Sequence, residues 1–246
     1  MFFQDIKQIA NWMNIYKKNA HSKGYVIGLS GGVDSAVVAA IAVKAVGCEN
    51  VHGVIMPIVS EPGDAIDAER VAIDLGITYD IVDLTSAFVA MDLACPVDRR
   101  DEVLMKSNIK SRLRMTMLYQ FANELNYLVA GTGNRSEDAV GYFTKYGDGG
   151  VDILPIGQYY KSEVRMMAKE LGLDMDIVNR ISTAGLFEGQ TDEEDLGITY
   201  DELDKILQFI DGRSDSLVNF FKMEKVITLI NRHKHKREYP PIFQRY

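Results

Sequence analysis

The stretch Gly28-Leu29-Ser30-Gly31-Gly32-Val33-Asp34-Ser35 constrains this chain more than any other. It follows a β-like run, Tyr25-Val26-Ile27, and leads into a helix-like run from Ala36 to Val46. A strand, a tight glycine turn and a helix start together make a phosphate cradle. Adjacent glycines let the backbone turn sharply and approach a ligand closely. The following helix offers free N–H groups and the positive end of its dipole to an anion. Ser30 and Ser35 add hydroxyl donors. Asp34 repels a bare phosphate, so its place makes sense with Mg²⁺ between carboxylate and phosphates. No Lys follows Gly32, so the common phosphate-loop pattern is absent, and the third glycine of a dinucleotide fingerprint is missing as well.

The S-G-G-x-D-S pattern resembles the pyrophosphate-binding loop of the N-type ATP pyrophosphatases. In that superfamily the loop grips the pyrophosphate end of ATP, and the enzyme transfers AMP to an acceptor oxygen. The competing reading is a chance glycine turn between a strand and a helix.

The 246 residues suffice for one large α/β domain with a substantial core. A hydrophobic share of 47% and a charged share of 25% are ordinary for a globular protein. A net charge of −8 argues against nonspecific nucleic-acid binding and leaves room for a local basic pocket. Cys48 and Cys95 form no C-x-x-C pair and imply neither a disulfide framework nor a zinc site; reduced thiols in a cytoplasmic protein are expected. Asp5 and Lys7 stand where a secretory signal needs an apolar core. The apolar run from Ala36 to Val43 is too short to span a bilayer. With no repeat and no low-complexity linker, the expectation is one domain over 1–246. Its core runs from about residue 20 to 180, with a helical C-terminal extension and basic tail from about 198 to 246.

In chain order, Ile6, Ile9, Met13 and Tyr16 predict an amphipathic helix over residues 2–18. The run Ala36 to Val46 is apolar nearly all round, so that helix should be buried, with Gly47 as its stop. Val51–Met56 reads as a second strand, Gly63–Leu75 as a helix, and Tyr79–Leu84 as a third strand, after which Thr85 would cap a short helix. Alternating strands and helices imply a doubly wound, mostly parallel sheet with helices on both faces. Residues 94–105 read as irregular, and Lys106 to Asn123 as a helix with Ile109, Leu113, Leu118 and Phe121 on one side. Its Lys106, Lys110, Arg112 and Arg114 form either a solvated basic face or a helix that aims one Arg at a phosphate or carboxylate.

Tyr127–Ala130 predicts a fourth strand, ending in Gly131-Thr132-Gly133-Asn134-Arg135-Ser136-Glu137. In a doubly wound sheet this loop lies beside the first, and Glu137 becomes a second carboxylate for Mg²⁺. The bland reading makes Asn134 or Ser136 a helix cap. The segment Gly141–Asp152 mixes glycines, aromatics, Lys145 and two aspartates, and predicts no regular element. It is either a surface loop or a cover for a flat aromatic ligand with a charged edge. Ser162 would cap a helix over Glu163–Leu171, placing Lys161 just before it as a mobile ammonium near phosphates or a solvated lysine. Residues 182–197 form either a solvated acidic run or a loop that closes over a nucleotide. Helices are expected from Thr199 to Ile210 and from Ser214 to Arg232, followed by a basic tail that is either a disordered end or a counter-charge for phosphates.

Taken together, Gly28–Ser35, Asn108–Met115, Gly131–Glu137, Gly141–Asp152, Ser182–Gly197 and His235–Pro241 resemble the ammonia-dependent NAD synthetases along nearly the whole chain. The run Phe143-Thr144-Lys145-Tyr146-Gly147-Asp148-Gly149-Gly150 is the most specific of these. The resemblance implies an adenine nucleotide alpha-hydrolase-like fold and a two-step ligase. ATP adenylates the nicotinate carboxylate of deamido-NAD and releases pyrophosphate; ammonia then attacks the acyl-adenylate and AMP leaves. It implies ATP on Gly28, Leu29, Ser30, Gly31, Gly32, Val33, Asp34 and Ser35, with Thr132, Lys161 and Thr183 as further contacts. Asp34 and Glu137 would hold Mg²⁺, and Arg112, Lys145, Asp152, His235 and Lys236 would meet deamido-NAD. The tail carries two overlapping His-Lys pairs, so His233-Lys234 competes with His235-Lys236 for that position. Gly133-Asn134 replaces the Asp-His of some members, which leaves ammonia or adenine recognition open.

The resemblance also implies a homodimer with dinucleotide sites at the interface. Glutamine-dependent relatives add an amidase domain, whereas the motifs here start by residue 28, so ammonia is the expected nitrogen source, with a separate glutaminase partner left open but not indicated. Competing classes are a pyrophosphatase that amidates or thiolates another substrate, which the Gly141–Asp152 run argues against, and an inactive nucleotide sensor that binds ATP without releasing pyrophosphate.

Overall fold

The computed structural model describes residues 2–59, 62–96, 102–187 and 189–245. Four parallel strands, β1 (Gly24–Gly28), β2 (Val51–Ile55), β3 (Thr78–Ile81) and β4 (Tyr127–Val129), stand in the order β3-β2-β1-β4. Ile27 is in register with Gly53 on one side, and Val26 with Val129 on the other. A parallel bridge between Ala130 and Ile153 prolongs the sheet beyond β4. The chain moves outward from β1 to β3 and then returns to the opposite side of β1. The carboxyl ends of β1 and β4 therefore flank the switch point, where open α/β sheets leave a crevice for ligands.

Alternation along the strands explains the layers. Tyr25, Ile27, Val51 and Ile55 enter one core. It lies beneath α1 (Phe3–Asn19), α2 (Val33–Val46), α3 (Pro62–Leu75), α7 (Lys161–Leu171) and α8 (Met175–Asn179). Val26, Val54 and Val129 enter the other, beneath α4 (Thr85–Ala94) and α5 (Glu102–Leu125). Both faces are covered, as a parallel sheet requires. Helix α2 is buried from Ser35 through Ala42 and ends at Gly47, whose φ of +85° suits glycine. A third core joins α6 (Arg135–Val140) to α9 (Asp192–Leu196), α10 (Tyr200–Ile210) and α11 (Phe220–Arg232), through Val140, Leu196, Leu203, Leu207 and Val226. The basic tail forms a last short helix, α12 (Lys234–Arg237).

Several boundaries differ from the sequence reading. Helix α5 already begins at Glu102, while 97–101 of the segment read as irregular lie outside the described residues. Thr85 does not cap α4; its hydroxyl accepts the Val59 N–H at 3.1 Å, and Leu84 holds the cap position. Helix α7 starts at Lys161 after Tyr160, so Ser162 is inside it. Helix α11 starts after Asn219, whose side chain accepts the Lys222 N–H, whereas Ser214 closes a local turn onto the Ser216 N–H. The five residues of α8 give too short a periodic signal to read, though Asp174 caps them.

Candidate active site

The loop after β1 is held by its own hydroxyls. Ser35 Oγ donates to the Gly32 carbonyl at 3.0 Å, Gly32 N–H donates to Ser30 Oγ at 3.2 Å, and the two serine hydroxyls lie 3.2 Å apart. Gly31 has φ +75°, and a Cβ there would stand 2.6 Å from Arg180 Nη1 and 2.8 Å from the Asp64 carbonyl oxygen. Only glycine fits this close approach. Arg180 donates to the Gly31 carbonyl at 3.2 Å and to Asp67 at 2.8 Å, and pairs with Asp64. It clamps the loop against α3. A lone arginine after a five-residue helix carries no signal that would reveal this role from sequence.

Asp34, in the first turn of α2, meets Glu137 of α6 and Lys161 of α7 beside this loop. Lys161 Nζ lies 2.5 Å from Asp34 Oδ2 and 3.2 Å from Glu137 Oε1, and Lys161 is 2% exposed. The ammonium is thus a fixed counter-ion and not a mobile one. Asn134 serves two purposes. Its side chain accepts the Glu137 N–H at 3.0 Å, capping α6, and its Nδ2 donates to Asp34 Oδ1 at 2.9 Å. The capping and the functional readings of this loop therefore coexist. Burial raises the Glu137 pKa above the usual carboxylate range; the Lys161 charge opposes this and the Asp34 charge adds to it. For Lys161 burial acts downward, but the two carboxylates outweigh it and keep the ammonium charged.

Among the described residues, no group of three or more His, Cys, Asp or Glu side chains is arranged to hold a metal by itself. Two convergent carboxylates fit Mg²⁺ of the kind that takes its other ligands from phosphates and water.

A cavity of about 660 Å³ opens from the loop. That volume is in the range of small-molecule and cofactor sites. Gly28, Leu29, Ser30, Gly32, Val33, Asp34, Ser35, Thr132, Glu137, Lys161, Thr183 and Lys236 all line it. Gly31 is turned toward Arg180 instead.

Four expected contacts lie elsewhere. Arg112 is exposed on the outer face of α5, with Nη2 3.4 Å from the Lys145 carbonyl. Arg114, two residues on, lines the cavity and donates to the Met56 carbonyl at 3.1 Å. Residues two apart point to different sides of a helix, so only one arginine can face inward. Asp152 accepts the Val129 N–H at 2.7 Å and the Tyr119 hydroxyl at 3.1 Å, which ties each of its oxygens to the fold and places it outside the cavity lining. Lys145 Nζ donates to the His235 carbonyl at 2.5 Å, and His235 is exposed.

The tail is ordered by α6. Lys236 donates to the Gly141 and Phe143 carbonyls at 2.7 Å each, Arg237 donates to the Asp138 carbonyl at 2.8 Å, and His233 Nδ1 lies 2.7 Å from the Val140 carbonyl. The bonds to the Asp138, Val140 and Gly141 carbonyls place donors at the end of α6, where cations are favoured. One turn of helix brings His233 and Lys236 to the cavity and leaves Lys234 and His235 outside, so the cavity takes one member of each adjacent His-Lys pair. The Gly141–Asp152 segment is irregular, as expected. Asp148 accepts the Ser111 hydroxyl at 2.6 Å and the Thr144 N–H at 2.9 Å, pinning the segment to α5 with Phe143 in the cavity wall.

The acidic run is not simply solvated. Thr183 to Phe187 line the cavity, Asp192 is 4% exposed, and Thr191 caps α9. Asp192 and Tyr200 reach the acid–lysine cluster, a meeting that spacing alone does not announce.

A family model described as NAD synthase matches residues 5–240. The chain belongs to the NAD synthase family. The NH(3)-dependent NAD(+) synthetase of Methanococcoides burtonii is 46% identical over 228 residues, 89% of this chain and 87% of that protein. The NH3-dependent NAD synthetase of Campylobacter jejuni, solved with a nitrate ion, superposes with a TM-score of 0.85 at 28% identity over 99% of both chains. The NMN synthetase of Francisella tularensis superposes at 0.87 with 35% identity over 97% of both. Among the described residues, no helix of this NAD synthase family member is long and apolar enough to cross a membrane.

Proposed function

We propose that this chain amidates deamido-NAD with ammonia at the expense of ATP, through an acyl-adenylate, giving NAD, AMP and pyrophosphate. This is the last step of NAD biosynthesis. The observation that carries the reading is the meeting of Asp34, Lys161 and Glu137 at the mouth of the Gly28–Ser35 loop, open to the cavity walled by Phe143. In the first step the nicotinate carboxylate attacks the α-phosphorus of ATP, and the bond to pyrophosphate breaks. The loop N–H groups, the Ser30 and Ser35 hydroxyls and the Lys161 ammonium hold the departing charge, an electrostatic role for preorganised donors. Asp34 and Glu137 would hold Mg²⁺, which when bound neutralises charge on the phosphates. In the second step ammonia attacks the acyl carbon and AMP leaves. No residue need form a covalent bond, since positioning and charge neutralisation supply the rate.

Thr132 and Thr183 would contact ATP. Lys236 and Arg114 would meet deamido-NAD within the cavity. Arg112, Lys145 and His235 are joined by hydrogen bonds on the outer surface, next to exposed Tyr146. That placement suits a dinucleotide completed at a homodimer interface, the assembly we propose. Cytoplasmic residence fits the ordinary composition and the two free cysteines.

A product assay tests the reading. The protein is mixed with ATP, Mg²⁺, ammonium or glutamine, and either deamido-NAD or nicotinate mononucleotide. NAD with matching AMP and pyrophosphate, faster with ammonium than with glutamine and faster than mononucleotide amidation, is expected. AMP and pyrophosphate without NAD overturns the acceptor or the nitrogen donor. ATP binding without pyrophosphate release overturns the enzyme in favour of a sensor.

A further inference from the structure

Helix α10 belongs to the C-terminal extension, yet its first residue reaches the acid–lysine cluster. Tyr200 is 1% exposed. Its hydroxyl lies 3.2 Å from Glu137 Oε1 and 2.9 Å from Asp192 Oδ2, and its ring centroid is 4.9 Å from the Lys161 ammonium. Its own N–H donates to Glu193 Oε1 at 2.8 Å, and Thr199 caps the helix by accepting the Glu202 N–H. One turn later, buried Asp204 accepts the Ser136 hydroxyl and, at 2.8 Å, the Ser162 N–H. Ser136 Oγ in turn accepts the Lys161 N–H at 3.0 Å. Asp204 thus ties together the first turns of α6 and α7, while Tyr200 touches the side chains that those turns carry.

Resting on the function proposed above, we infer that Tyr200 is a positioning residue that holds the Lys161 ammonium between Asp34 and Glu137. Two carboxylates, Asp34 and Glu137, pair with this ammonium, and a third, Asp192, adds its charge nearby. Their mutual repulsion tends to splay them, and a lysine side chain has many rotamers to lose. The phenol hydroxyl sits in the gap between Glu137 and Asp192 and supplies a proton to it. The ring face closes one side of the ammonium at cation–π distance. Asp34 and Glu137 thereby set the direction of the charge, and Tyr200 sets how deep it lies. A donor that must meet charge developing on a leaving group is most effective when its position is already set.

Two variants separate the contributions. Tyr200→Phe keeps the ring and removes the hydroxyl, and Tyr200→Leu removes both. We expect kcat to fall about tenfold in Tyr200→Phe, the weight of one hydrogen bond to a charged group, and about a hundredfold in Tyr200→Leu. KM for ATP and deamido-NAD should stay within about threefold of wild type, because the interaction acts on the transition state. In a Lys161→Met background, with residual turnover followed by pyrophosphate release, Tyr200→Phe should cost nothing further, since it acts through Lys161. An unchanged kcat in Tyr200→Phe, or an equal loss in the Lys161→Met background, overturns the assignment.

A second readout does not depend on turnover. The rate at which an amine-reactive reagent labels Lys161, read by peptide mass, should rise at least about fivefold in Tyr200→Phe at unchanged circular dichroism. Equal labelling rates overturn the inference. If the wild-type protein makes no NAD, the functional reading falls, and the labelling comparison still decides the role of Tyr200.

Discussion

Lys161 Nζ lies 2.5 Å from Asp34 Oδ2, although 127 positions separate the two residues in the chain. The contact joins the first turns of α2 and α7 across the switch point of the sheet. A buried charge pair of this kind costs most when one member is removed, because the other is left uncompensated.

Replacing Lys161 by Met leaves Asp34 and Glu137 facing each other without a cation. The expected loss of stability is about 3–5 kcal/mol, with kcat down at least about a hundredfold. Mg²⁺ should raise the melting temperature of this variant more than that of wild type, since it can occupy the same carboxylates. Thermal melts with and without Mg²⁺ check this; equal shifts would remove Asp34 and Glu137 as its ligands.

Asp34→Ala should abolish Mg²⁺-dependent turnover while the fold survives at reduced stability, because Glu137 still pairs with the buried Lys161 ammonium. Pyrophosphate release and circular dichroism together test this. Full activity would sink the metal assignment.

Gly31→Ala should destabilise the protein by about 1–3 kcal/mol through the positive φ alone, and more through the clash with Asp64 and Arg180. KM for ATP should rise at least about tenfold, because the distorted loop presents its N–H groups wrongly. Denaturant melts and steady-state kinetics give both numbers. Wild-type behaviour would mean that the loop is not held as described.

Burial holds the His233 pKa below its usual value, against its bond to the Val140 carbonyl, with the nearby Lys236 and Arg232 charges acting in the same direction as burial. The unfolded chain therefore takes up this proton at a higher pH than the folded one. Stability from this group is complete above the ordinary histidine pKa and declines as the solution is acidified below it. Melting temperatures from pH 7.5 to 5.5 should fall less steeply for His233→Gln, which keeps a donor for the Val140 carbonyl. Parallel curves would contradict the assignment.

The layers of the fold were legible because they rest on local pattern. Tyr25, Val26 and Ile27 alternate between two cores, and the apolar run of α2 has only one environment that suits it. The strand endings at Gly28 and Ala130 pointed to one crevice, and the strand order placed them there. The family resemblance marked Asp34, Glu137 and Lys161, and these three meet.

Other positions depended on how the elements dock. Arg112 and Arg114 share a motif region and a charge, and the phase of α5 against the sheet alone decides which faces the cavity. Asp152 is a ligand contact by type, and the structure gives it bonds to the Val129 N–H and the Tyr119 hydroxyl. In the tail a helical turn brings His233 and Lys236, one member of each His-Lys pair, to the cavity wall. Thr85 and Ser162 are good caps by residue type and lost that role to their neighbours.

By itself the sequence determined the elements, their apolar faces and the glycine turn, because these depend on neighbours within a few residues and on steric limits of the backbone. Only the tertiary structure decided that Lys161 is a buried counter-ion, that Arg180 clamps the glycine loop, and that Tyr200 joins a distant helix to the charged cluster. Those contacts depend on where separate elements dock, and no local spacing encodes the distance between residues 34, 137, 161 and 200.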